Sequence, residues 1–243
     1  MQSKDDNIYK NTRENVPFQF NEQVASVFPD MIGRSVPGYH SVINMIEQLA
    51  GRYVRSNTNC YDLGCSLGEA TLALENGISS NNVTINAIDN SPAMLDKCQL
   101  YLDCYKHRSL IKLKCEDIRE TMIENASMVV LNYTLQFIGV NDRNALIKSI
   151  FNGMNSGAIL LISEKISVSN QLVNDLFIDL HHQFKKDNGY SSLEISQKRN
   201  ALENVLIPET LDTHIERLKK AGFNQINCWQ QHLNFASMIA IKE

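Results

Sequence analysis

Long apolar runs are missing from this 243-residue chain. None reaches the roughly 18 residues that a membrane-spanning helix requires, so no membrane contact is expected. The polar opening Met1 to Asn11 lacks the apolar core of a secretory signal, and a cytoplasmic protein is the expectation. The six cysteines (Cys60, Cys65, Cys98, Cys104, Cys115, Cys228) contain no C-x-x-C pair. A chain of this size needs no disulfide staples, which favours reduced thiols. Excess positive charge is also missing: 23 Lys plus Arg against 27 Asp plus Glu leave a net charge of -4. That offers no general grip on a nucleic acid backbone, so a small-molecule substrate and no direct nucleic acid binding are expected. Internal repeats and low-complexity linkers are absent as well. What remains, with 43% hydrophobic residues, is enough for one buried core, and a single domain over 1–243 is expected.

Strand and helix patterns alternate in the manner of a parallel sheet covered on both faces. Strands are expected at Asn59 to Leu63, Val83 to Ile88, Leu110 to Lys114, Ser127 to Leu131 and Ala158 to Ser163, with a closing antiparallel pair at Gln225 to Gln230 and Asn234 to Ile241. Helices are expected at Val36 to Arg52, Pro92 to about Tyr105, Arg143 to Gly153 and Glu209 to Ala221, the last capped by Gly222. The stretch 167–205 breaks the rhythm with two helical patterns joined around Asn188-Gly189, and reads as an insertion over the site. Residues 1–20 are expected to be a flexible N-terminus. The fold class is therefore α/β, Rossmann-like, with a mostly parallel seven-stranded sheet and a helical insertion before the last helix.

The most informative segment is Tyr61 to Gly68, Tyr-Asp-Leu-Gly-Cys-Ser-Leu-Gly. A strand ending at Leu63 must turn sharply into a helix starting near Leu67, and Gly64 and Gly68 let the backbone bend and a ligand approach. With Asp62 on the strand and the series Gly64, Ser66, Gly68, it differs from G-x-G-x-x-G and resembles the first motif of S-adenosylmethionine enzymes. Asp89 closes the next apolar run about 20 residues on, where such folds place an acid for ribose hydroxyls. Asn90 follows, and Ser91-Pro92 supplies a helix start, whose capping is the alternative role for Asp89.

Ligands in open α/β sheets lie beyond the carboxyl ends of the strands. There stand Asp117 and Ile118, suited to an adenine amino group and ring nitrogen, and Asn132, facing the methionine part of the cofactor. Asp117 is equally a turn residue on spacing alone, and Asn132 an ordinary loop residue. Leu131 to Gln136 lacks the Asn/Asp-Pro-Pro-Tyr run that holds a nitrogen nucleophile in many amino-group methyltransferases, and offers no obvious general base. His181-His182 lacks the i, i+4 spacing of a metal couple, so no metal is expected.

Several blocks carry a closer resemblance: Phe28 to Met31, Arg34 to Tyr39, Tyr61 to Gly68, Asp89 to Pro92, Glu124 to Asn132, Ser163 to Lys165 and Asn188 to Asn204. Together they resemble the carboxy-S-adenosyl-L-methionine synthase family over all but about the first twenty residues. Gln230 to Leu233 is less aromatic than the family's pattern, and Gly33 stands where glutamine is common. The resemblance implies a class I methyltransferase fold that does not transfer the methyl group. Instead, S-adenosyl-L-methionine reacts with prephenate to give carboxy-S-adenosyl-L-methionine and phenylpyruvate. A sulfonium ylide captures the carbon dioxide, and the departing hydroxide takes the methyl proton, so no side-chain base is needed. It further implies that Tyr39, Gly64, Cys65 and Ser66 line the cofactor site, that Asp89 and Asn90 meet the ribose, Asp117 and Ile118 the adenine, and Asn132 the sulfonium region. Arg199 is the catalytic position implied to hold the new carboxylate, a role that suits a planar guanidinium. A homodimer with the inserted segment near the partner is implied, as is use of the product by a separate carboxymethyltransferase acting on a wobble uridine of transfer RNA. An ordinary small-molecule methyltransferase and a non-catalytic S-adenosylmethionine binder are the other two readings.

Overall fold

A computed structural model describes residues 5–11 and 17–243. The strands are β1 Asn59–Leu63, β2 Thr84–Asp89, β3 Leu110–Cys115, β4 Ala126–Asn132, β5 Met154–Ser167, β6 Glu209–Thr210, β7 Gln225–His232 and β8 Phe235–Ile241. They lie in the order β3-β2-β1-β4-β5-β8-β7, with the two-residue β6 pairing only with β5. The first five strands run parallel, and β8 is antiparallel to both of its neighbours. The helices are α1 Glu22–Ser35, α2 Tyr39–Tyr53, α3 Glu69–Gly77, α4 Pro92–Leu102, α5 Val140–Gly153, α6 Gln171–Asp187, α7 Ser192–Leu202 and α8 Leu211–Ala221. The expected α/β architecture and the antiparallel closing pair are therefore present.

Why the sheet is buried on both faces is visible in β4 and β5. Val129, Leu131, Leu160 and Ile162 join a core with Ile147 of α5 and Leu218 of α8. The alternate residues Met128, Val130, Ile159 and Leu161 join the opposite core with Ile46 of α2 and Leu74 of α3. Period-two alternation thus feeds two apolar layers, as a covered parallel sheet requires.

Several elements differ from the sequence expectation: α2 starts at Tyr39, after Gly38 at φ +77°, rather than at Val36, and α5 starts at Val140 rather than Arg143. α1 was not foreseen because Pro29 lies inside it and removes one helical hydrogen bond. It forms nonetheless, capped by Asn21, which accepts from the Val24 N–H, and seated through Val24, Ala25, Val27 and Met31. β5 starts at Met154, four residues earlier than Ala158, and α4 stops at Leu102 rather than Tyr105. β6 is too short to leave a pattern. Of the N-terminal stretch expected to be flexible, 1–4 and 12–16 lie outside the described residues. Residues 5–11 and 17–20 are docked: Ile8 and Phe18 are buried in the α1 cluster, and Phe18 N–H donates to Ala201 of α7.

The inserted segment is α6 and α7. Their junction carries Gly189 at φ +89°, and Ser191 with Glu194 forms a reciprocal capping box at the start of α7. Its return to the sheet is pinned by Arg143 of α5, which is fully buried. Arg143 donates to the carbonyls of Ile138 (2.9 Å), Gln136 (3.2 Å) and Ile207 (2.9 Å) and to the Glu209 carboxylate, which Arg217 also contacts at 2.7 Å. Removing that cation leaves the Glu209 carboxylate with Arg217 alone and takes the guanidinium donors from three carbonyls, of which Gln136 still accepts the Ile207 N–H. Arg143→Leu is expected to cost about 3 kcal/mol in urea unfolding, typical of breaking a buried ion pair from one side; a loss below about 1 kcal/mol would contradict the pinning role.

Candidate functional site

At the carboxyl edge of β1 and β2 the chain reverses without a gap in its hydrogen bonding. The N–H groups of Gly64 and Cys65 both donate to the Ile88 carbonyl at 2.8 Å, and Gly68 N–H closes onto Cys65. Gly64 has φ +85°, and a Cβ there would sit 2.4 Å from Thr134 Oγ1, so two constraints select glycine. Ser66 also takes positive φ, at +52°, which is uncommon for a non-glycine residue. Asp89 ties this turn to the next helix: one carboxylate oxygen accepts Ser66 N–H and the other accepts Ser91 N–H, both at 2.9 Å. Burial raises the Asp89 pKa, while those backbone donors oppose the rise. Each of its oxygens keeps a lone pair for a ligand hydroxyl.

Nine of the sequence-designated residues come together around one cavity of about 350 Å³: Tyr39, Gly64, Cys65, Ser66, Asp89, Asn90, Asp117, Ile118 and Asn132. Tyr39 opens α2, is buried, and stays un-ionised through desolvation and the neighbouring Glu69 carboxylate. Its ring lies 6.2 Å from that of Tyr133, whose backbone is held at φ +60°. Asn132 Oδ1 is buried and has no hydrogen-bond partner among the described residues, an oxygen left for a ligand donor. Asp117 is already engaged by Arg119 through both oxygens, at 2.6 and 3.0 Å, and its pKa is lowered by that guanidinium. The Cys65 side chain packs beside Cys98 in an apolar cluster, so its backbone is the part available to a ligand. Arg199 is not brought in. It is exposed on α7, though near enough for its charge to lower the pKa of Lys165.

Other wall residues were given no site role by the sequence, although Phe28, Lys165 and Lys198 fall within the resembling blocks. Phe18, Phe20, Phe28 and Phe137 form an aromatic side, with Phe20 edge-on to Phe18 at 5.0 Å and to Phe137 at 5.2 Å. Lys165, Lys185 and Lys198 line the far end. Lys165 alone had a usable cue, since it lies just past the Asn132-to-Ser163 pairing of β4 with β5. Lys185 and Lys198 look like solvated helix positions until α6 and α7 fold over the cavity. His181, also in the wall, donates through Nε2 to the Ser35 carbonyl at 2.8 Å, and burial lowers its pKa to about 3. Among the described residues, no group of three His, Cys, Asp or Glu side chains could hold a metal ion, and no helix is long and apolar enough to cross a membrane.

The donor set fits S-adenosyl-L-methionine. The Gly64 turn leaves room for close backbone approach, Asp89 and Asn90 suit ribose hydroxyls, and the orphaned Asn132 oxygen suits the polar end of the methionine part. Beneath the turn, outside the cavity wall, Asp62 is sealed from solvent. Its Oδ2 accepts the Thr71 hydroxyl at 2.6 Å, and its Oδ1 has no partner.

Comparison with known proteins agrees with this geometry. The methyltransferase domain family matches residues 61–162. The chain is 50% identical over all 243 residues, covering 100% of both chains, to a carboxy-S-adenosyl-L-methionine synthase of Shewanella sediminis. It is 52% identical over 226 residues, 93% of each chain, to the synthase of that name from Idiomarina loihiensis. Among solved structures, human N-acetylserotonin methyltransferase in complex with SAM superposes with a TM-score of 0.60 at 14% identity, covering 91% of this chain and 55% of that one. An O-methyltransferase family protein from Burkholderia thailandensis gives 0.63 at 14% identity, covering 95% and 65%. These two are alike in fold.

Asp62 supplies a pH test of the buried turn. Desolvation, reinforced by the like charge of Asp89, raises its pKa from 3.8 to about 7. The folded-state value lies above the unfolded one, so its contribution to stability is fully present below pH 3.8 and is lost as pH rises through about 7. The stability difference between Asp62→Asn and the parent, both without ligand, should therefore shift in the variant's favour by about 1 kcal/mol per pH unit between roughly pH 4 and 7. Denaturant titrations at several pH values read that slope, and a flat difference would show an ionised Asp62 throughout.

Proposed function

The chain belongs to the carboxy-S-adenosyl-L-methionine synthase family, and on that premise we propose that it makes carboxy-S-adenosyl-L-methionine from S-adenosyl-L-methionine and prephenate, releasing phenylpyruvate. The observation that carries the reading is a single cavity with two electrostatic ends. Asp89, Asn90 and the Gly64 turn form a nucleoside end, and Lys165, Lys185 and Lys198 form a cationic end suited to an anionic carboxyl donor. Asn132 lies between them, at the β4 edge beside β5.

In this reading the protein contributes orientation and charge. Asp89 and the Ser66 turn fix the nucleoside, and Asn132 positions the methionine part so that the methyl carbon faces the donor. The aromatic side formed by buried Phe18 with half-buried Phe20, Phe28 and Phe137 limits water while the carboxyl group passes between substrates. The hydroxide released from the donor takes the methyl proton and leaves as water. Arg199 is assigned to the carboxylate of the product; its charge reaches Lys165 from outside the cavity wall, which supports attraction of an anion to that end.

The protein is further proposed to act in the cytoplasm as a homodimer, joined through the inserted segment. Leu172, Leu176 and Leu180 recur at i, i+4 and i+8 on α6 and are 81%, 53% and 44% exposed, an apolar stripe suited to a second copy. Its product is proposed to feed a separate carboxymethyltransferase acting on a wobble uridine of transfer RNA.

Mass spectrometry after incubation with S-adenosyl-L-methionine, with and without prephenate, tests the reaction. The expected result is a prephenate-dependent species heavier by one carboxyl group, accompanied by phenylpyruvate; S-adenosylhomocysteine formed only with a nucleophilic acceptor would move the chain to ordinary methyl transfer. Arg199→Ala is expected to weaken the carboxylated product about tenfold or more while leaving S-adenosyl-L-methionine nearly unchanged, the loss of one charge-assisted contact. Calorimetry on both ligands checks this, and equal losses would remove the carboxylate role.

A further inference from the structure

The three cavity lysines are arranged as no stabilising ion network would be. Lys165 projects from the end of β5, Lys185 from α6 and Lys198 from α7, so three separate elements bring their ammonium groups to one wall. Lys185 and Lys198 are buried, at 8% and 7% exposure. Lys198 donates to Ser35 Oγ at 3.0 Å and has the Asp6 carboxylate at 3.8 Å. Neither Lys165 nor Lys185 has an ion-pair or hydrogen-bond partner for its ammonium among the described residues. Their mutual proximity is energetic as well as geometric: desolvation first, then the charges of Lys198 and Lys165, lower the Lys185 pKa to about 7, and burial lowers that of Lys198 to about 8. Buried cations without counter-charge destabilise a fold, so such an arrangement points to an anion supplied from outside.

We propose that Lys165 and Lys185, backed by Lys198, form the receiving site for a small dicarboxylate, one ammonium to each carboxylate, at the end of the cavity beside Asn132. The charge count agrees. With a bound anion keeping all three protonated, the lysines carry +3, the Asp6 carboxylate at Lys198 returns -1, and the remaining +2 matches a dianion with two separate carboxylates. The two unpartnered ammonium groups stand on different elements, which suits two spaced carboxylates better than one compact phosphate. Lysine's single compact charge on a long stem also suits a ligand that must enter and leave, whereas a bidentate arginine would lock one plane. Lys165 lies two residues past Ser163, the β5 partner of Asn132, so the bound dianion would sit against the reactive end of the methionine part.

This deepens the function proposed above, which supplies the choice of prephenate as probe; the lysine arrangement itself stands without that choice. The test is calorimetric titration of prephenate into protein saturated with S-adenosylhomocysteine, which has no methyl group to react. Lys165→Met and Lys185→Met are each expected to weaken prephenate about ten- to a hundredfold, the loss of one charge-assisted contact, while S-adenosylhomocysteine stays within about twofold. Lys185→Arg should recover most of the affinity, and phenylpyruvate, with one carboxylate, should bind the parent far more weakly than prephenate. Ligand-free Lys185→Met should melt no lower than the parent, because removing an unpaired buried charge relieves the fold; a purely structural lysine would give the opposite shift. Unchanged prephenate affinity in both methionine variants, or equal affinity of the parent for phenylpyruvate, would overturn the receiving site. Turnover by the parent separates the two questions. Conversion of prephenate with an unchanged KM in the variants sinks the receiving site alone, whereas lysine-dependent binding without conversion sinks prephenate as the carboxyl donor alone.

Discussion

One carboxylate joins the two halves of the cavity. Glu164, fully buried near the end of β5, accepts the N–H of Leu135 at 2.8 Å and that of Gln136 at 2.9 Å. Those donors open the 3-10 turn, Leu135–Phe137, that follows β4. Gln136 returns the contact through its Oε1, which accepts Lys165 N–H at 3.0 Å, and its carbonyl is held by Arg143. The loop that presents Asn132, Tyr133 and Thr134 is thereby locked to the strand that presents Lys165. Burial pushes the Glu164 pKa up to about 8 against the pull of those two N–H groups and of Arg143. A carboxyl group placed there at such cost in desolvation is explained by what it positions, since both faces of the joint are cavity wall.

Charge is partitioned on a scale that the overall balance hides. A net charge of -4 suggests a mildly acidic surface, yet the cavity concentrates acids at one end and ammonium groups at the other. Low-dielectric walls strengthen both fields. In the proposed reaction the anionic donor carries its negative charge to the basic end, where the lysines supply the opposite sign. The same layout disfavours ordinary methyl transfer to a neutral nucleophile. Lysines held protonated by a bound anion offer no base, and the loop after β4 carries Asn-Tyr-Thr rather than a run built to hold an amine.

How much of this was legible follows from where each signal resides. Asp62 to Gly68 and Asp89 could be read directly, because sharp strand-to-helix turns restrict residue type locally: Gly64 faces Thr134 at a distance no side chain tolerates. Asn132 was legible by rule, as a polar residue just past a buried strand. Asp117 was placed correctly in the wall, but its partner, Arg119, is a two-residue neighbour whose side-chain direction no spacing reveals. α1 was hidden by Pro29, whose local penalty is overridden by the apolar seat of Val24 and Met31. Lys185 and Lys198 were illegible for a different reason. On their own helices they are ordinary polar residues, and only the closure of the inserted segment over the sheet makes them buried.

That closure also explains why the N-terminal segment is docked. Asp6 accepts the Tyr190 hydroxyl, places its carboxylate by Lys198, and donates its own N–H to Asp30 at 2.7 Å. Asp30 is in turn paired with Arg34, whose guanidinium lies 3.9 Å from the Tyr190 ring centre and donates to Asn188 at the α6–α7 junction. The chain's first described residues therefore fasten the inserted helices to α1 by neutralising one lysine of the three. Had Asp6 stood beside Lys185 instead, it would have left no unpaired ammonium there for a ligand. Placed at Lys198, it moderates the repulsion that would otherwise push α6 from α7, and leaves the Lys165 and Lys185 ammonium groups unneutralised.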